Sequence, residues 1–124
     1  MVIVDTDVMV EFFRGSAETG KVLKAIKPEN LAISAITRME LFVGALNNTE
    51  LRRIEKSLDA IREIAVSESI SARAADLIKK YAKSHGLKIP DGIIAATAID
   101  QSVQLFTYNI RDFKFIQGLT LYSV

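Results

Sequence analysis

Short apolar runs alternate along this chain with stretches of helical periodicity, and this alternation restricts the folds that the chain can adopt. The runs predict strands because each is short and bounded by polar or turn residues. They span residues 2–4, 31–34, 64–66, 104–107 and 119–122. Strands that alternate with helices pair in parallel and are covered on both faces. The sequence therefore predicts a three-layer α/β/α sandwich around a five-stranded, mostly parallel sheet.

The stretches between these runs have the pattern of helices. Residues 51–61 and 70–81 place apolar side chains every three or four positions, with Lys and Arg on the opposite side. The segment "PDGIIAATAID", residues 90–100, begins with Pro at a favoured first-turn position and is apolar almost all round. It predicts a central, deeply buried helix.

Length and charge limit the organisation of the chain. With 124 residues we expect one domain, spanning 1–124. Lys plus Arg number 16 against 15 for Asp plus Glu, so a nucleic-acid contact would have to be local. No apolar run approaches membrane-spanning length and the chain opens without a basic leader. These features predict a cytoplasmic protein that does not contact a membrane.

The chain has no Cys and a single His, which narrows its possible chemistry. Thiolate zinc sites, Cys nucleophiles and zinc sites built on several histidines are excluded. A Ser-His-Asp triad would have to use His85, which precedes Gly86 at a predicted helix C-terminus. The alternative for His85 is a solvated side chain that interacts favourably with the helix dipole.

Acidic residues occur where predicted strands end and helices begin. Asp5 follows the first strand, and Glu40 lies in the helix after the second. Asp91 opens the apolar helix, and Asp112 follows the fourth strand. Each of the first three has a local alternative: Asp5 as a helix cap, Glu40 in a capping box with Thr37, and Asp91 as a favourable first-turn charge.

The acids are more informative as a set than singly. In parallel sheets ligands bind outside the carboxyl ends of the strands, where the strand order reverses. Carboxylates crowded there repel one another, and a cation relieves this repulsion. Oxygen ligands without Cys or His select a hard ion, Mg²⁺ or Mn²⁺, and such ions support phosphodiester hydrolysis. The acids therefore predict a nuclease.

Four segments resemble a known family. They are "VIVDTDVMVEFFRG", "AISAITRMELFVGAL", "KIPDGIIAATAID" and "LFTYNIRDFKFIQGLTLY". In this order and spacing they resemble the PIN domain, and closely the small PIN ribonucleases that are the toxins of VapBC-type toxin–antitoxin modules. The resemblance covers essentially the whole chain. It implies a PIN-like fold, a Mg²⁺- or Mn²⁺-dependent endoribonuclease, an RNA substrate such as tRNA, a cognate antitoxin protein and a homodimer.

The resemblance also implies roles for individual residues. Asp5, Glu40 and Asp91 match the three acids that the family directs at the metal ion. In the fourth motif Asn109 stands where many members carry an acid. We therefore expect Asp112 to be the fourth catalytic and metal-binding residue, with Asn109 orienting a water or a phosphate.

Other polar residues in these motifs are expected to support the acids or contact RNA. The supporting residues are Thr6, Asp7, Thr107 and Asn109, although Asp7 also suits a first-turn helix charge. The candidate RNA contacts have a solvated charged surface as their alternative. They are Arg14, Arg38, Lys88, Arg111 and Lys114.

Three other functions are weighed against a nuclease. Residues 5–7, D-T-D, are similar to the motif of aspartyl-phosphate phosphatases, but the paired acidic motif of those enzymes is missing. A phosphoacceptor signalling domain needs an Asp after strand three, where this chain has "IAVSESIS". A PIN-like module that binds without cleaving is the third, and the intact trio of Asp5, Glu40 and Asp91 argues against it.

Overall fold

A parallel sheet of four strands lies at the centre of the molecule. The computed structural model describes all residues, 1–124. The strands are β1 (Val2–Val4), β2 (Leu31–Ser34), β3 (Arg62–Ile64) and β4 (Gln104–Phe106). Their order is β3-β2-β1-β4, and every pair is parallel. The order reverses at β1, so the crevice between β1 and β4 is where a ligand site is expected.

The predicted fifth strand at 119–122 is wrong. Leu121 forms only an isolated parallel bridge with Leu105, through backbone hydrogen bonds of Leu105 to Thr120 and of Tyr122 to Leu105. The Leu119 N–H donates to the carbonyl of Ile116 in the preceding turn, which keeps the start of the run out of the ladder. In addition, β3 lies two residues before the predicted run 64–66.

Six α-helices connect and flank the strands. The predicted helices at 70–81 and 90–100 are confirmed as α5 (Glu68–His85) and α6 (Ile89–Asp100), and the one at 51–61 is confirmed in part as α4 (Asn48–Leu58), which ends before Ile61. Five helices begin with a short polar side chain that accepts a backbone N–H of the first turn; these caps are Asp5, Ser16, Ser34, Asn47 and Ser67. The helices are α1 (Thr6–Phe13), α2 (Ala17–Ile26), α3 (Ala35–Gly44), α4 (Asn48–Leu58), α5 (Glu68–His85) and α6 (Ile89–Asp100).

Helices cover both faces of the sheet, which explains why its central strands are apolar on both sides. On one face Ile3 and Leu105 pack into a core with residues of α5 and α6. On the other, Val4 and Phe106 pack with residues of α1, α2, α3 and α4. The three-layer α/β/α arrangement is thereby confirmed. No helix has both the length and the apolar character that crossing a membrane requires.

The packing of α6 fixes the position of its first turn. A Cβ atom at Gly92 would lie 2.8 Å from Cγ1 of Ile78, so the glycine permits α5 and α6 to approach closely. From Ile94 to Ala98 the helix is fully buried. Since the end of α6 leads into the start of β4, its first turn, which carries Asp91, lies at the opposite, carboxyl edge of the sheet.

Candidate active site at the carboxyl edge of the sheet

Asp5 lies where β1 passes into α1, at the point where the strand order reverses. Its Oδ1 accepts the Thr6 N–H at 2.8 Å, so it caps α1. Its Oδ2 accepts the Thr107 hydroxyl at 2.7 Å, across the crevice from the end of β4. Only 4% of the residue is exposed. Capping and a functional position are therefore combined in one side chain.

Asp7 points from the first turn of α1 towards the segment after β4. Its Oδ2 accepts the Tyr108 N–H at 3.1 Å. Its Oδ1 is buried and accepts no N–H or hydroxyl, while the carboxyl groups of Asp7 and Asp5 are close enough to share a hydrogen bond when one of them is protonated. A buried carboxylate oxygen without a donor costs free energy. This oxygen is the one buried side-chain polar atom that the fold leaves unsatisfied.

Asp5 and Asp7 resist ionising together. Burial, followed by the charge of Asp7, raises the pKa of Asp5 from 3.8 to about 8. Burial also raises the pKa of Asp7, against the hydrogen bonds that lower it. In a region of low dielectric it is energetically unfavourable for two adjacent carboxylates to be charged at the same time. A cation or a proton beside this pair would relieve the cost.

Glu40, on α3, is linked to the start of α1 by a hydrogen bond from Thr6. The Thr6 hydroxyl lies 2.7 Å from Oε1 of Glu40 and 3.0 Å from Oγ1 of Thr37. The capping-box alternative for Thr37 and Glu40 is wrong, because Ser34 caps α3 by accepting the Ile36 N–H at 3.2 Å. Thr37 is instead buried inside the first turn and faces Thr6.

Asp91, in the first turn of α6, is affected by the charges of other acidic residues. Burial, then the charges of Asp112 and Glu40, raise its pKa from 3.8 to about 6, while Lys88 lowers it. Asp7 raises it further. Coulomb effects of this kind require proximity. The charges of Asp112, Glu40 and Asp7 act on Asp91, and the charge of Asp7 acts on Asp5. We call these five carboxylates the acidic cluster (Asp5, Asp7, Glu40, Asp91 and Asp112).

The donor set of the acidic cluster fits a hard divalent cation. All its ligand atoms are carboxylate oxygens, which Mg²⁺ and Mn²⁺ prefer, and the unpaired Oδ1 of Asp7 lies among them. No group of three or more acidic or histidine side chains is arranged to hold an ion as these side chains stand. Mg²⁺ commonly keeps several waters and takes only one or two carboxylates from a protein, so a set of three is not required.

The fourth motif divides between a buried and an exposed part. Thr107 is buried, and its Oγ1 accepts the Asn109 N–H at 3.0 Å. Asn109 is exposed and precedes a 3₁₀ turn, Ile110–Asp112. Asp112 is exposed and acts on Asp91 through its charge. The assignment of the fourth ligand to Asp112 rather than Asn109 stays a prediction.

The basic residues proposed to contact RNA differ in their surroundings. Arg14 pairs with Glu11 at 3.4 Å, and Arg38 pairs with Glu63. The remaining three make no salt bridge and are exposed; they are Lys88, whose charge acts on Asp91, and Arg111 and Lys114, which lie on either side of Asp112 in the sequence. Of the five, these three are the more available for phosphate contacts.

His85 does not form a triad. It ends α5, and Gly86 follows it in the left-handed region at φ 72°, as the sequence predicts. Its ring stacks on Phe115 with centroids 4.3 Å apart, and Ser84 is its hydrogen-bond partner. No carboxylate lies within salt-bridge distance of it.

The sequence analysis does not predict the contacts of two residues of the site. Thr37 contacts the Thr6 hydroxyl, although its sequence position indicates only a cap. Tyr108 donates its N–H to Asp7, and its hydroxyl lies 2.6 Å from that of Thr19 on α2. No sequence signal identifies these contacts, apart from the place of Tyr108 inside the fourth motif.

Comparison with known proteins decides the family. The sequence pattern of the PIN domain matches residues 2–118. The chain belongs to the PIN domain family. Ribonuclease VapC10 of Mycobacterium tuberculosis is 35% identical to this PIN domain over 121 residues, which cover 96% of this chain and 90% of the relative. The resemblance drawn from the four motifs is confirmed.

Solved structures give the same answer for the fold. A chain in a toxin-antitoxin complex from Klebsiella pneumoniae superposes with a TM-score of 0.83 at 34% identity, covering 100% of both chains. A chain of FitAcB from Neisseria gonorrhoeae superposes with a TM-score of 0.79 at 28% identity, covering 99% of this PIN domain and 97% of that chain. The α/β architecture is therefore that of the family.

Proposed function

We propose that this PIN domain, residues 1–124, is a metal-dependent endoribonuclease and the toxin of a toxin–antitoxin pair. The observation that carries the proposal is the acidic cluster, in which acids from four separate parts of the chain act on one another through their charges and the buried Oδ1 of Asp7 lacks a donor. The similarity to VapC ribonucleases supports RNA as the substrate. Structured RNA such as tRNA is among the candidates.

The chain's own residues prepare the site for hydrolysis. Asp5, Glu40, Asp91 and Asp112 would hold a Mg²⁺ or Mn²⁺ ion, which would supply an activated water and charge stabilisation for the phosphate oxygens. Asp5 is held by Thr6 and Thr107, so its carboxylate needs little reorganisation. The Thr6 hydroxyl holds Glu40 in the same way.

Substrate binding falls to the exposed residues around the cluster. Lys88, Arg111 and Lys114 offer positive charge to phosphates on either side of the cut. The Asn109 side chain is exposed beside Asp7 and can orient a water or a phosphate oxygen. These contacts position the RNA backbone and read no sequence.

Cleavage of total cellular RNA by the purified protein tests the proposal. We expect cuts with Mg²⁺ or Mn²⁺, none with a chelator, and loss of cutting in Asp5→Ala, Glu40→Ala and Asp91→Ala. The matched control is Asp100→Ala, at the other end of α6, which should cut as wild type does. Retained cutting in one of the three variants would remove that residue from the site. Cutting that ignores the chelator would contradict metal dependence.

A PIN-like module that binds RNA without cutting it is the second candidate. It is favoured by the finding that no three carboxylates stand ready to ligate one ion. The same experiment separates the two functions. RNA that is retained on the protein but left intact with either metal would support the binding module.

The toxin role requires a partner that blocks the site. A groove of about 310 Å³ between α1, α3 and α4 contains Glu40 and suits an amphipathic helix; its apolar lining includes Val10, Phe13, Leu41, Leu46 and Ile54. A basic side chain of the antitoxin would then pair with the acids. Growth arrest on expression of wild type, but not of Asp91→Ala, supports this role. Harmless expression together with purification from the host without a small partner would contradict it.

A homodimer is part of the same proposal. An exposed apolar patch between α5 and α6 suits a second copy of the chain; it includes Val66, Ala75, Ile78, Ile89 and Ile93. Sedimentation of the purified protein measures its oligomeric state. Ile89→Glu, on an exposed side chain, should convert a dimer to a monomer without unfolding it.

A further inference from the structure

A second cleft, of about 480 Å³, opens directly beside the acidic cluster. Asp7 belongs both to the acidic cluster and to the lining of this cleft. A nucleotide bound in the cleft would therefore lie next to a phosphate group bound at the acidic cluster. The walls of the cleft come from the segment after β4, from α1 and from the start of α2. The lining residues are Asp7, Glu11, Ser16, Glu18, Thr19, Tyr108 and Asn109. The roles described above for the acids leave this cleft without a function.

Tyr108 is held in this cleft by three contacts. Its hydroxyl lies 2.6 Å from that of Thr19, which is only 2% exposed. Its N–H donates to Asp7, and its ring meets Phe106 edge to face with centroids 5.4 Å apart. The residue is nevertheless 43% exposed. Its hydroxyl and N–H are thus hydrogen-bonded, while a large part of the residue remains open to solvent.

An exposed aromatic residue that is anchored at its hydroxyl and its backbone, next to a proposed nuclease site, suits one ligand chemistry. Proteins recognise single-stranded RNA largely by stacking unpaired bases on aromatic side chains. A ring that is already fixed loses little conformational entropy when a base stacks on it. The contacts with Thr19, Asp7 and Phe106 explain why the ring is fixed, whereas stacking explains why it is exposed.

The charges of the cleft indicate which part of a nucleotide it takes. Carboxylates of Asp7, Glu11 and Glu18 line it, and they repel phosphate. The same carboxylates accept hydrogen bonds from the amino groups of bases. The base therefore belongs in the cleft, with its phosphate outside.

We propose that this cleft is a base-binding subsite, in which the Tyr108 ring stacks on one unpaired base next to the scissile phosphate. The acidic lining favours a base with an exocyclic amino group, adenine, guanine or cytosine, over uracil. The proposal rests on the proposed RNA cleavage and adds to it a selection for single-stranded RNA with a preferred base beside the cut.

The test uses a short single-stranded RNA oligonucleotide that spans a cut mapped in total RNA. Abasic nucleotides replace each of the residues flanking the cut, one at a time. For wild type, one abasic position should lower kcat/KM by about 5- to 150-fold, the range expected for losing one stacked base. Tyr108→Leu should lower kcat/KM on the intact oligonucleotide by a similar factor, with no further loss at that abasic position.

Two matched variants separate stacking from the structural contacts. Thr19→Val and Tyr108→Phe each remove the bond between the hydroxyls and keep the ring, so both should retain the abasic penalty. Uracil at the sensitive position should also weaken cleavage by wild type, and Glu18→Gln should reduce this discrimination. A 2-aminopurine base placed there and bound in chelator should be quenched by wild type and not by Tyr108→Leu.

The outcomes distinguish the subsite from the nuclease. If wild type cleaves the oligonucleotide but Tyr108→Leu shows the same abasic penalties at every position, the subsite is wrong and the nuclease stands. If wild type cleaves no RNA with either metal, the proposed function fails and the subsite fails with it.

Discussion

The two sides of the acidic cluster are built differently. On the β1 and β4 side, Asp5 accepts hydrogen bonds from Thr6 and Thr107, and Asp7 accepts one from Tyr108. On the α6 side, the carboxylates of Asp91 and Asp112 accept none from the protein. The fold itself holds the first side in place, whereas the second is shaped mainly by charge. Substitutions on the two sides should therefore change the stability of the protein in different ways.

The largest expected effect is on the pH dependence of stability, and it comes from the buried side. The pKa of Asp5 rises from 3.8 to about 8 on folding. Between about pH 4 and pH 8 the folded protein keeps a proton that the unfolded chain has lost, so stability falls as pH rises. At about 1.36 kcal/mol per pKa unit the decline has a ceiling of about 6 kcal/mol. Chemical denaturation in chelator across this range measures it.

Asp5→Asn separates the contributions of the two sides. Asp91, with a pKa of about 6, contributes only to the lower part of the range. The variant should therefore lose most of the decline above pH 6 and keep part of the decline below it. Asp100→Asn should show the wild-type profile. A wild-type stability that does not change between pH 4 and pH 8 would contradict the burial of charge at Asp5.

A second effect concerns the hydrogen bonds of the buried side. Thr107→Val preserves the shape of the side chain but removes the donor to Asp5 and the acceptor of the Asn109 N–H. Leaving buried polar groups unpaired should lower the free energy of unfolding by about 1–3 kcal/mol. Urea denaturation measures this loss. Thr120→Val, at an exposed hydroxyl, is the control and should stay within about 0.5 kcal/mol of wild type.

The smallest effect is expected on the charged side and has the opposite sign. Asp91→Asn removes repulsion from Asp112 and Glu40, so it should raise or leave unchanged the Tm of the metal-free protein. Because Asp91 is only half-buried, solvent screening limits the gain to about 1 kcal/mol or less. Asp91→Ala is measured beside it, since Asn can itself satisfy the helix terminus. A clear drop in Tm for both variants would indicate that Asp91 serves the helix alone.

Local sequence signals predict much of this fold and part of the site. The apolar runs locate β1, β2 and β4, and the periodic stretches locate α4, α5 and α6, because these patterns depend on near neighbours in the chain. The positions of Asp5 and Asp91 after a strand and at a helix start follow in the same way. The prediction of a fifth strand is wrong because the Leu119 N–H donates to a carbonyl within a turn instead of to a neighbouring strand. The apolar content of the run does not reveal this.

Contacts between distant parts of the chain lie beyond such signals. The Thr6 hydroxyl reaches Glu40 across 34 positions, and the Asp7 carboxylate reaches the Tyr108 N–H across 101. These pairings depend on how α1, α3 and the segment after β4 approach one another. The T-x-x-E spacing of Thr37 and Glu40 is a genuine local signal, but Ser34 caps α3 first because the helix starts directly where β2 ends.

The central claim is that the acidic cluster holds a divalent cation, and thermal unfolding with increasing Mn²⁺ tests it most directly. Wild type should gain about 2.7 kcal/mol of stability at a hundredfold excess of Mn²⁺ over its Kd. Asp100→Asn should gain as much, and Asp91→Asn much less. Equal gains in all three proteins, or no gain in any of them, would show that these carboxylates do not share a bound ion.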